Sequence, residues 1–268
     1  MPPPEPFYLN QFRTVDQPEP REVKRTGDEK PVAKRDFHES HLSVALMAAT
    51  CTNRLAEAGI FAEQTSDFDL AMRAIEASEK PYLTDFLSPR KNDFFEDNCF
   101  WLIFNNEEGE PSGVIGSRMD TTGREPLSAY ATRKLRNIFP DEDHVPVRPD
   151  RLPRVADEIM GKVVYTGDLY LGPGLRKTDR SNLRTIMLLQ YCVIYLKWTD
   201  FDWLYAFLRD RDVRRGATWM YHFPRTYPMA HSWTSPPSDH SGDNWLAAMS
   251  RLEMVDLFAA YFAAPDRL

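Results

Sequence analysis

The sequence predicts a mixed α/β (α+β) fold in which helices flank a central sheet. Apolar residues recur at helical spacing over residues 39–58, which predicts an amphipathic helix. Two apolar runs at 99–104 and 112–118 enclose an acidic turn, as in an antiparallel hairpin. A strand-like run at 163–171 then precedes a long apolar helix at 181–198. Helices and strands in this order share one apolar core.

Composition bounds the domain count and the class of partner. The chain has 268 residues, of which 42% are hydrophobic, enough for one large domain. Residues 1–38 are rich in proline and charge and lack apolar periodicity, so we expect an extended arm followed by a single domain at 39–268. The net charge of -7 argues against a nucleic-acid-binding protein, which needs a basic face.

Cysteine usage and apolar runs suggest a compartment. Cys51, Cys99 and Cys192 are widely spaced within apolar stretches, so we expect buried free thiols rather than a disulfide framework or a zinc site. No His-x-x-x-His spacing or similar metal-ligand pattern occurs, and we expect no metal. The N-terminal residues do not resemble a secretory signal, and no apolar run is long enough to cross a membrane. These features predict a cytoplasmic protein with no membrane partner.

Turn and cap residues give the order of the elements. Asp67 stands where a helix cap belongs, and Pro81 stands where that helix must have ended. The expected elements are helices at 39–58, 68–79 and 82–87, strands at 99–104 and 112–118, an insertion at 119–160, a strand at 163–171, a helix at 181–198, a strand at 203–208 and a helix at 213–221.

Two further segments are expected to elaborate the domain outside the pattern described so far. The first is an insertion at 119–160, before the strand predicted at 163–171. It contains a helix near 126–138 and a Pro- and Asp-rich stretch at 140–153. Such insertions often shape a substrate mouth or a partner surface. Residues 242–264 are predicted to form a C-terminal helical segment that packs on the core, with a homodimer interface as the alternative.

One stretch resembles a known family. Residues 168–176 read Asp-Leu-Tyr-Leu-Gly-Pro-Gly-Leu-Arg, and Ala-Thr-Trp-Met-Tyr follows at 217–221. The first resembles the fourth strand and coenzyme A loop of GNAT N-acetyltransferases, and the second is similar to a helix motif of that family. The resemblance implies a GNAT-like, mostly antiparallel sheet and an acyl-coenzyme A co-substrate, acetyl-CoA by default.

The loop after Arg176 departs from the family pattern. Relatives place glycines there, whereas this chain is glycine-poor and has about four extra residues before the helix. Phosphates would then be bound by cations and by N–H groups at the helix start. The cations are Arg176, Lys177, Arg180 and Arg184; Ser181 or Asn182 would cap the helix, leaving N–H groups of Leu183, Arg184 and Thr185. The alternative is a solvated helix start whose charges pair with Asp179.

The same resemblance assigns the remaining site residues. The pantetheine arm would lie along Leu169, Tyr170 and Leu171. Tyr221 would protonate the leaving thiolate, its alternative being an aromatic that packs the helix. The base that accepts the proton of the amine would be Asp168 or a water molecule.

The resemblance implies an acyl-CoA-dependent N-acyltransferase that acts on an amine of unspecified identity. The alternative is a catalytically inactive GNAT-fold module with a binding or regulatory role, which the glycine-poor loop would suit. A third interpretation is transfer to a protein acceptor that docks on the insertion.

Overall fold

A computed structural model describes residues 39–139, 153–173, 175, 180–228 and 244–264, with Arg180 described by its backbone alone. All of these residues fall within one compact unit, Arg35–Leu268. The arm predicted at 1–38 and most of the Pro- and Asp-rich stretch at 140–153 lie outside the described residues.

Seven helices of the described residues flank the sheet, and a short 3₁₀ helix lies at Arg154–Asp157. The helices are α1 His41–Glu57, α2 Phe68–Ala77, α3 Leu127–Ile138, α4 Arg180–Lys197, α5 Asp210–Arg214, α6 Ala217–Met220 and α7 Arg251–Ala263. The strands are β1 Phe61–Thr65, β2 Cys99–Asn105, β3 Pro111–Gly123, β4 Gly161–Leu171, β5 Trp203–Arg209, β6 Arg225–Tyr227 and β7 Asn244–Ser250.

The strands form one sheet in the order β1-β2-β3-β4-β5-β7-β6. Every neighbouring pair is antiparallel except β4 and β5, which run parallel. The fold class predicted from the sequence, a mixed and mostly antiparallel sheet between helices, is therefore confirmed.

Local chemistry explains where several helices begin. Ser40 caps α1 by accepting the Ser43 N–H at 3.1 Å, and Asp67 caps α2 by accepting the Leu70 N–H at 3.0 Å. Ser250 and Glu253 form a reciprocal capping box at the start of α7. Each cap satisfies N–H groups that the first helical turn leaves without an acceptor.

Each face of the sheet carries its own apolar cluster. The α4 face contains the side chains of α1, α4 and α7 together with Phe100, Ile115 and Leu204. The α2 face contains those of α2 and α3 together with Trp101, Val114 and Tyr205. Successive strand residues alternate between the two faces, as the pleat requires.

The three cysteines are buried and free, as predicted. Burial raises the pKa of the Cys51 and Cys99 thiols to about 12. Within the described ranges, no helix is long and apolar enough to cross a membrane.

Part of the predicted insertion belongs to the core sheet. β3 continues past residue 118 to Gly123 and stays paired with β4, for example at Asp120 with Val163. The helix predicted near 126–138 is confirmed as α3, and Leu127, Tyr130 and Leu135 pack in the α2-face cluster. The insertion boundary at 119 was therefore wrong.

The segment predicted to be helical at 242–264 is a strand followed by a helix. Asn244–Ser250 pair with β5, and this pairing overrides the helical propensity of the Leu-Ala-Ala-Met run. Only Arg251–Ala263 are helical, and they pack on the core through Met254, Phe258 and Tyr261.

Two other helix predictions were wrong in detail. The helix predicted at 213–221 is divided into α5 and α6, because Gly216 adopts a left-handed conformation with φ of 89° between them. Residues 82–87 form turns rather than a helix. The short edge strand β1 was not predicted.

Candidate functional site

The parallel strands β4 and β5 separate along their length. They pair only over Val163–Tyr165 and Trp203–Tyr205. Beyond that point, β4 remains bonded to β3 and β5 remains bonded to β7. The sheet therefore opens between the C-terminal halves of its two central strands.

A cavity of about 560 Å³ occupies this opening. Its walls include residues 166–171 of β4 and 206–209 of β5. Met187 and Phe223 line it from the α4 face, whereas the segment 80–84 lines it from the α2 face. The cavity thus passes through the sheet and meets both faces.

A β-bulge at Asp168 sets which side chains of β4 face each way. Gly116 pairs with Gly167 and Val114 with Tyr170, so β4 has one residue more than β3 between these pairs. Asp168 has a φ of 59°, a left-handed conformation that Asp tolerates better than most residues. The extra residue reverses the alternation of the strand downstream.

The bulge places the three predicted pantetheine residues at the cavity. Leu169 and Leu171 pack with the α4-face cluster, and Tyr170 packs with the α2-face cluster. All three line the cavity. The strand predicted from the sequence therefore contributes two leucines and one tyrosine to the cavity wall.

Asp168 holds the segment 80–84 against β4. Its carboxylate accepts the Thr84 N–H at 3.0 Å and the Thr84 hydroxyl at 2.7 Å. Lys80 Nζ lies 2.7 Å from the same carboxylate, and the side chains of the pair are 7% and 0% exposed. The carboxylate is therefore engaged by three donor groups around its two oxygens.

Tyr221 lines the cavity from the α4 face, next to Phe223. Its backbone is fixed because its N–H donates to the Ala217 carbonyl at 2.7 Å and its own carbonyl accepts the Tyr191 hydroxyl. Burial raises the pKa of the Tyr221 phenol to about 12. The phenol therefore keeps its proton throughout the neutral range.

Arg184 is bound to residues beyond the cavity wall. Its guanidinium carbon lies 4.5 Å from the ring centroid of Trp219, and its Nη2 donates to the Tyr261 hydroxyl. His222 lies 3.3 Å from that hydroxyl through Nδ1. Burial, followed by the positive charge of Arg184, lowers the pKa of His222 to about 4. Arg184 is thus held in an aromatic cluster, and His222 is neutral.

The predicted phosphate-binding residues are described only in part. Arg176 and Lys177 lie outside the described residues, as does the Arg180 side chain. Since α4 begins at Arg180, Ser181 and Asn182 lie inside its first turn. The prediction that either residue is the N-cap was wrong. In a regular α-helix, the N–H groups of Arg184 and Thr185 donate to the carbonyls of residues 180 and 181. They are therefore not available to a phosphate, and only N–H groups nearer to the start of α4 lack a partner within the helix.

Sequence reasoning missed the α2-face wall of the cavity. Tyr82 and Arg209 face each other there, with the guanidinium carbon 5.2 Å from the ring centroid. Lys80 Nζ lies 5.1 Å from the same ring. Only the fold brings residue 209 next to residues 80–84, so no local motif could have indicated this contact.

Across the described ranges, no group of three or more His, Cys, Asp or Glu side chains is arranged to hold a metal ion. The cavity is bounded by apolar side chains, by three tyrosines and by charged groups. The tyrosines are Tyr82, Tyr170 and Tyr221, and the charged residues are Lys80, Asp168, Arg209, Arg211 and Asp212.

Comparisons with known proteins concern the fold. No family model and no curated relative matches the sequence. Among solved structures, an agmatine N-acetyltransferase in its apo form is 13% identical, with a TM-score of 0.42 over 71% of this chain and 99% of that one. A GNAT-family acetyltransferase from Staphylococcus aureus MU50 is 12% identical, with a TM-score of 0.38 over 71% and 98% of the two chains.

A third match is FeeM, an N-acyl amino acid synthase from uncultured soil microbes. It is 9% identical, with a TM-score of 0.39 over 73% of this chain and 92% of that one.

Proposed function

We propose that the chain is an acyl-CoA-dependent N-acyltransferase, with acetyl-CoA as the default donor. The observation that carries the proposal is the opening between β4 and β5, with a cavity that reaches both faces of the sheet. Such an opening allows a donor and an acceptor to approach the same point from opposite sides, which is the arrangement that direct transfer needs.

The donor is assigned to the α4 face. Its pantetheine arm would lie along Leu169–Leu171, where the bulge turns two leucines towards α4. The pyrophosphate would then lie near the start of α4, where the helix dipole is positive. Arg176, Lys177 and Arg180 are the cations we propose for it, because Arg184 is already held by Trp219 and Tyr261.

The reaction is a direct attack of a neutral amine on the thioester carbonyl. A C–N bond forms, the C–S bond breaks, and the electron pair of that bond leaves on the coenzyme A sulfur. Tyr221 donates its phenolic proton to the thiolate, and water accepts the proton that the amine loses. A proton from solvent then restores the Tyr221 phenol after coenzyme A leaves. Strand N–H groups near Leu171 would polarise the carbonyl as its oxygen gains charge.

We propose a positioning role for Asp168 instead of the role of base, for which it was one of two candidates in the sequence. A carboxylate that pairs with a buried ammonium and accepts two further hydrogen bonds has its charge already stabilised. Its two oxygens are therefore occupied by donors of the protein itself. It fixes the wall formed by Lys80 and Thr84 instead.

The test is acyl transfer by the full chain. The protein is incubated with acetyl-CoA, or with a longer acyl-CoA, and a panel of amines, and products are identified by mass spectrometry. Leu169→Trp, which fills the donor side of the cavity, should abolish transfer. Leu252→Trp, on the exposed side of α7, is the matched control and should retain it.

Two results separate the alternatives. Acyl-CoA binding without transfer to any amine or protein acceptor would favour the binding or regulatory module. Transfer that is the same in wild type and Leu169→Trp would contradict the assignment of the cavity.

Three buried free thiols are consistent with a reducing compartment such as the cytoplasm, where we propose that the protein acts.

A further inference from the structure

The acceptor side of the cavity carries one positive charge, that of Arg209, which forms no ion pair within the part of the chain that the structure describes. Arg209 and Phe207 lie on the same face of β5, the α2 face, and Arg209 lines the cavity next to Tyr82. This is the face opposite the one assigned to coenzyme A. A group bound by Arg209 would therefore belong to the acceptor.

The other charges of the cavity wall occur in pairs. Lys80 is neutralised by Asp168 at 2.7 Å. Arg211 Nε lies 3.6 Å from a carboxylate oxygen of Asp212. Arg209 has no ion pair with any residue that the structure describes. The charged side chains of the wall, those of Lys80, Asp168, Arg209, Arg211 and Asp212, therefore sum to about +1. The carboxylate of Asp212 also acts on Arg209 at longer range, but it forms its ion pair with Arg211.

The guanidinium of Arg209 is also held in place. It stacks at 5.2 Å on the Tyr82 ring, whose other cation neighbour, Lys80, is bound to Asp168. Arg209 is half-buried, and this burial, followed by the charge of Arg211, lowers its pKa. A desolvated guanidinium offers donors in a fixed fork that matches a carboxylate.

Resting on the acyltransfer proposed above, we propose that the acceptor is an amine that carries a carboxylate, such as an amino acid, and that Arg209 binds this carboxylate. The carboxylate supplies the missing negative charge. Binding it at Arg209 leaves the amine to approach the thioester through the opening in the sheet. Tyr82 contributes an aromatic wall beside the rest of the acceptor.

The experiment compares amino acids with their amides as acceptors for wild type, Arg209→Gln, Arg209→Lys and Arg215→Gln. The amide of an amino acid has nearly the same size as the acid but lacks the negative charge of the carboxylate. Arg215 is exposed and lies outside the cavity wall, so Arg215→Gln is the matched control for the loss of one charge. KM and kcat are measured separately, and acyl-CoA affinity is measured by calorimetry for each variant.

Wild type should acylate the acids in preference to the amides. Arg209→Gln should raise KM for the acids about 10- to 100-fold, the effect of one charge-assisted contact, with little change in kcat. It should leave KM for the amides and the acyl-CoA affinity within about twofold, since the donor site is on the other face. Arg209→Lys should fall between Arg209→Gln and wild type.

Three results would overturn the inference: no preference of wild type for acids, an equal rise in KM for acids and amides, or an unchanged KM in Arg209→Gln. If no acceptor is turned over, amino acids are titrated into the complex with free coenzyme A, and the absence of binding overturns it as well. A wild type that binds no acyl-CoA would instead contradict the proposed function, which keeps the two failures distinct.

Discussion

The carboxylate of Asp168 accepts both the backbone N–H and the hydroxyl of Thr84, at 3.0 and 2.7 Å, although the two residues are 84 positions apart in the chain. The contact joins the bulge of β4 to the segment 80–84, which lines the cavity from the α2 face. The side chain of Asp168 at the bulge thereby holds the segment 80–84 in its position at the cavity.

Asp168→Asn is expected to destabilise the protein. The substitution keeps the shape of the side chain but leaves the ammonium of Lys80 buried without its counter-charge, at a cost of about 3 kcal/mol in the free energy of unfolding. Urea unfolding monitored by circular dichroism measures this loss.

Lys80→Met and the double variant Lys80→Met/Asp168→Asn complete the cycle. With both charges removed, the double variant should be more stable than Asp168→Asn. An Asp168→Asn protein of wild-type stability and much lower kcat would instead indicate that Asp168 is the general base.

Tyr221→Phe removes the proton proposed for the leaving thiolate. We expect kcat to fall about 100-fold, as is typical when a general acid is lost, while the affinity for acyl-CoA changes little. Steady-state kinetics and calorimetry measure the two quantities. Tyr227→Phe, on β6 and outside the cavity wall, serves as the control.

The pH profile provides a second readout for Tyr221. Because burial raises its pKa to about 12, the phenol stays protonated across the range in which the protein is assayed. We therefore expect no alkaline decline of kcat below about pH 10. A decline centred near pH 8 would exclude Tyr221 as the acid.

His222 makes stability depend on pH. Its pKa is lowered from 6.5 to about 4 in the folded protein, so the unfolded chain binds the proton first as the pH falls. Stability is full above pH 6.5 and is lost as the pH falls towards 4. Between pH 7 and pH 5 the expected loss from this residue is about 2 kcal/mol.

Urea unfolding of wild type and His222→Asn at pH 7 and pH 5 isolates this contribution. Asn suits the left-handed backbone of residue 222, which has a φ of 58°. The pH-dependent loss should be smaller in the variant by about 2 kcal/mol. An equal loss in both proteins would show that the histidine is not held neutral.

Strong periodicity and caps made most of the core predictable from the sequence. The strands β2, β4 and β5 and the helices α1 to α4 were expected within a few residues of their bounds, because each carries a long apolar pattern or a cap such as Asp67. β1 was missed because most of its residues are not buried, and it therefore has no clear apolar alternation. β7 was misassigned because Ala247, Ala248 and Met249 favour a helix until β5 pairs with them.

Sequence motifs indicated the cavity residues on β4 and Tyr221, but they did not indicate the wall on the α2 face. Asp168 to Leu171 and Tyr221 belong to sequence motifs, and the structure places them along one cavity. Tyr82 and Arg209 come from a turn and a strand end more than a hundred residues apart, and they have no motif. Their contact depends on the separation of β4 from β5, which only the complete sheet defines.

The most direct test of the account is calorimetric titration of the full chain with acetyl-CoA and with a longer acyl-CoA, at two salt concentrations. Micromolar binding is expected, weakened by salt because phosphate contacts are charged, weakened in Arg176→Ala, abolished in Leu169→Trp and retained in Leu252→Trp. No heat for any donor, or equal binding by Leu169→Trp, would contradict the assignment of the opening between β4 and β5 as an acyl-CoA site.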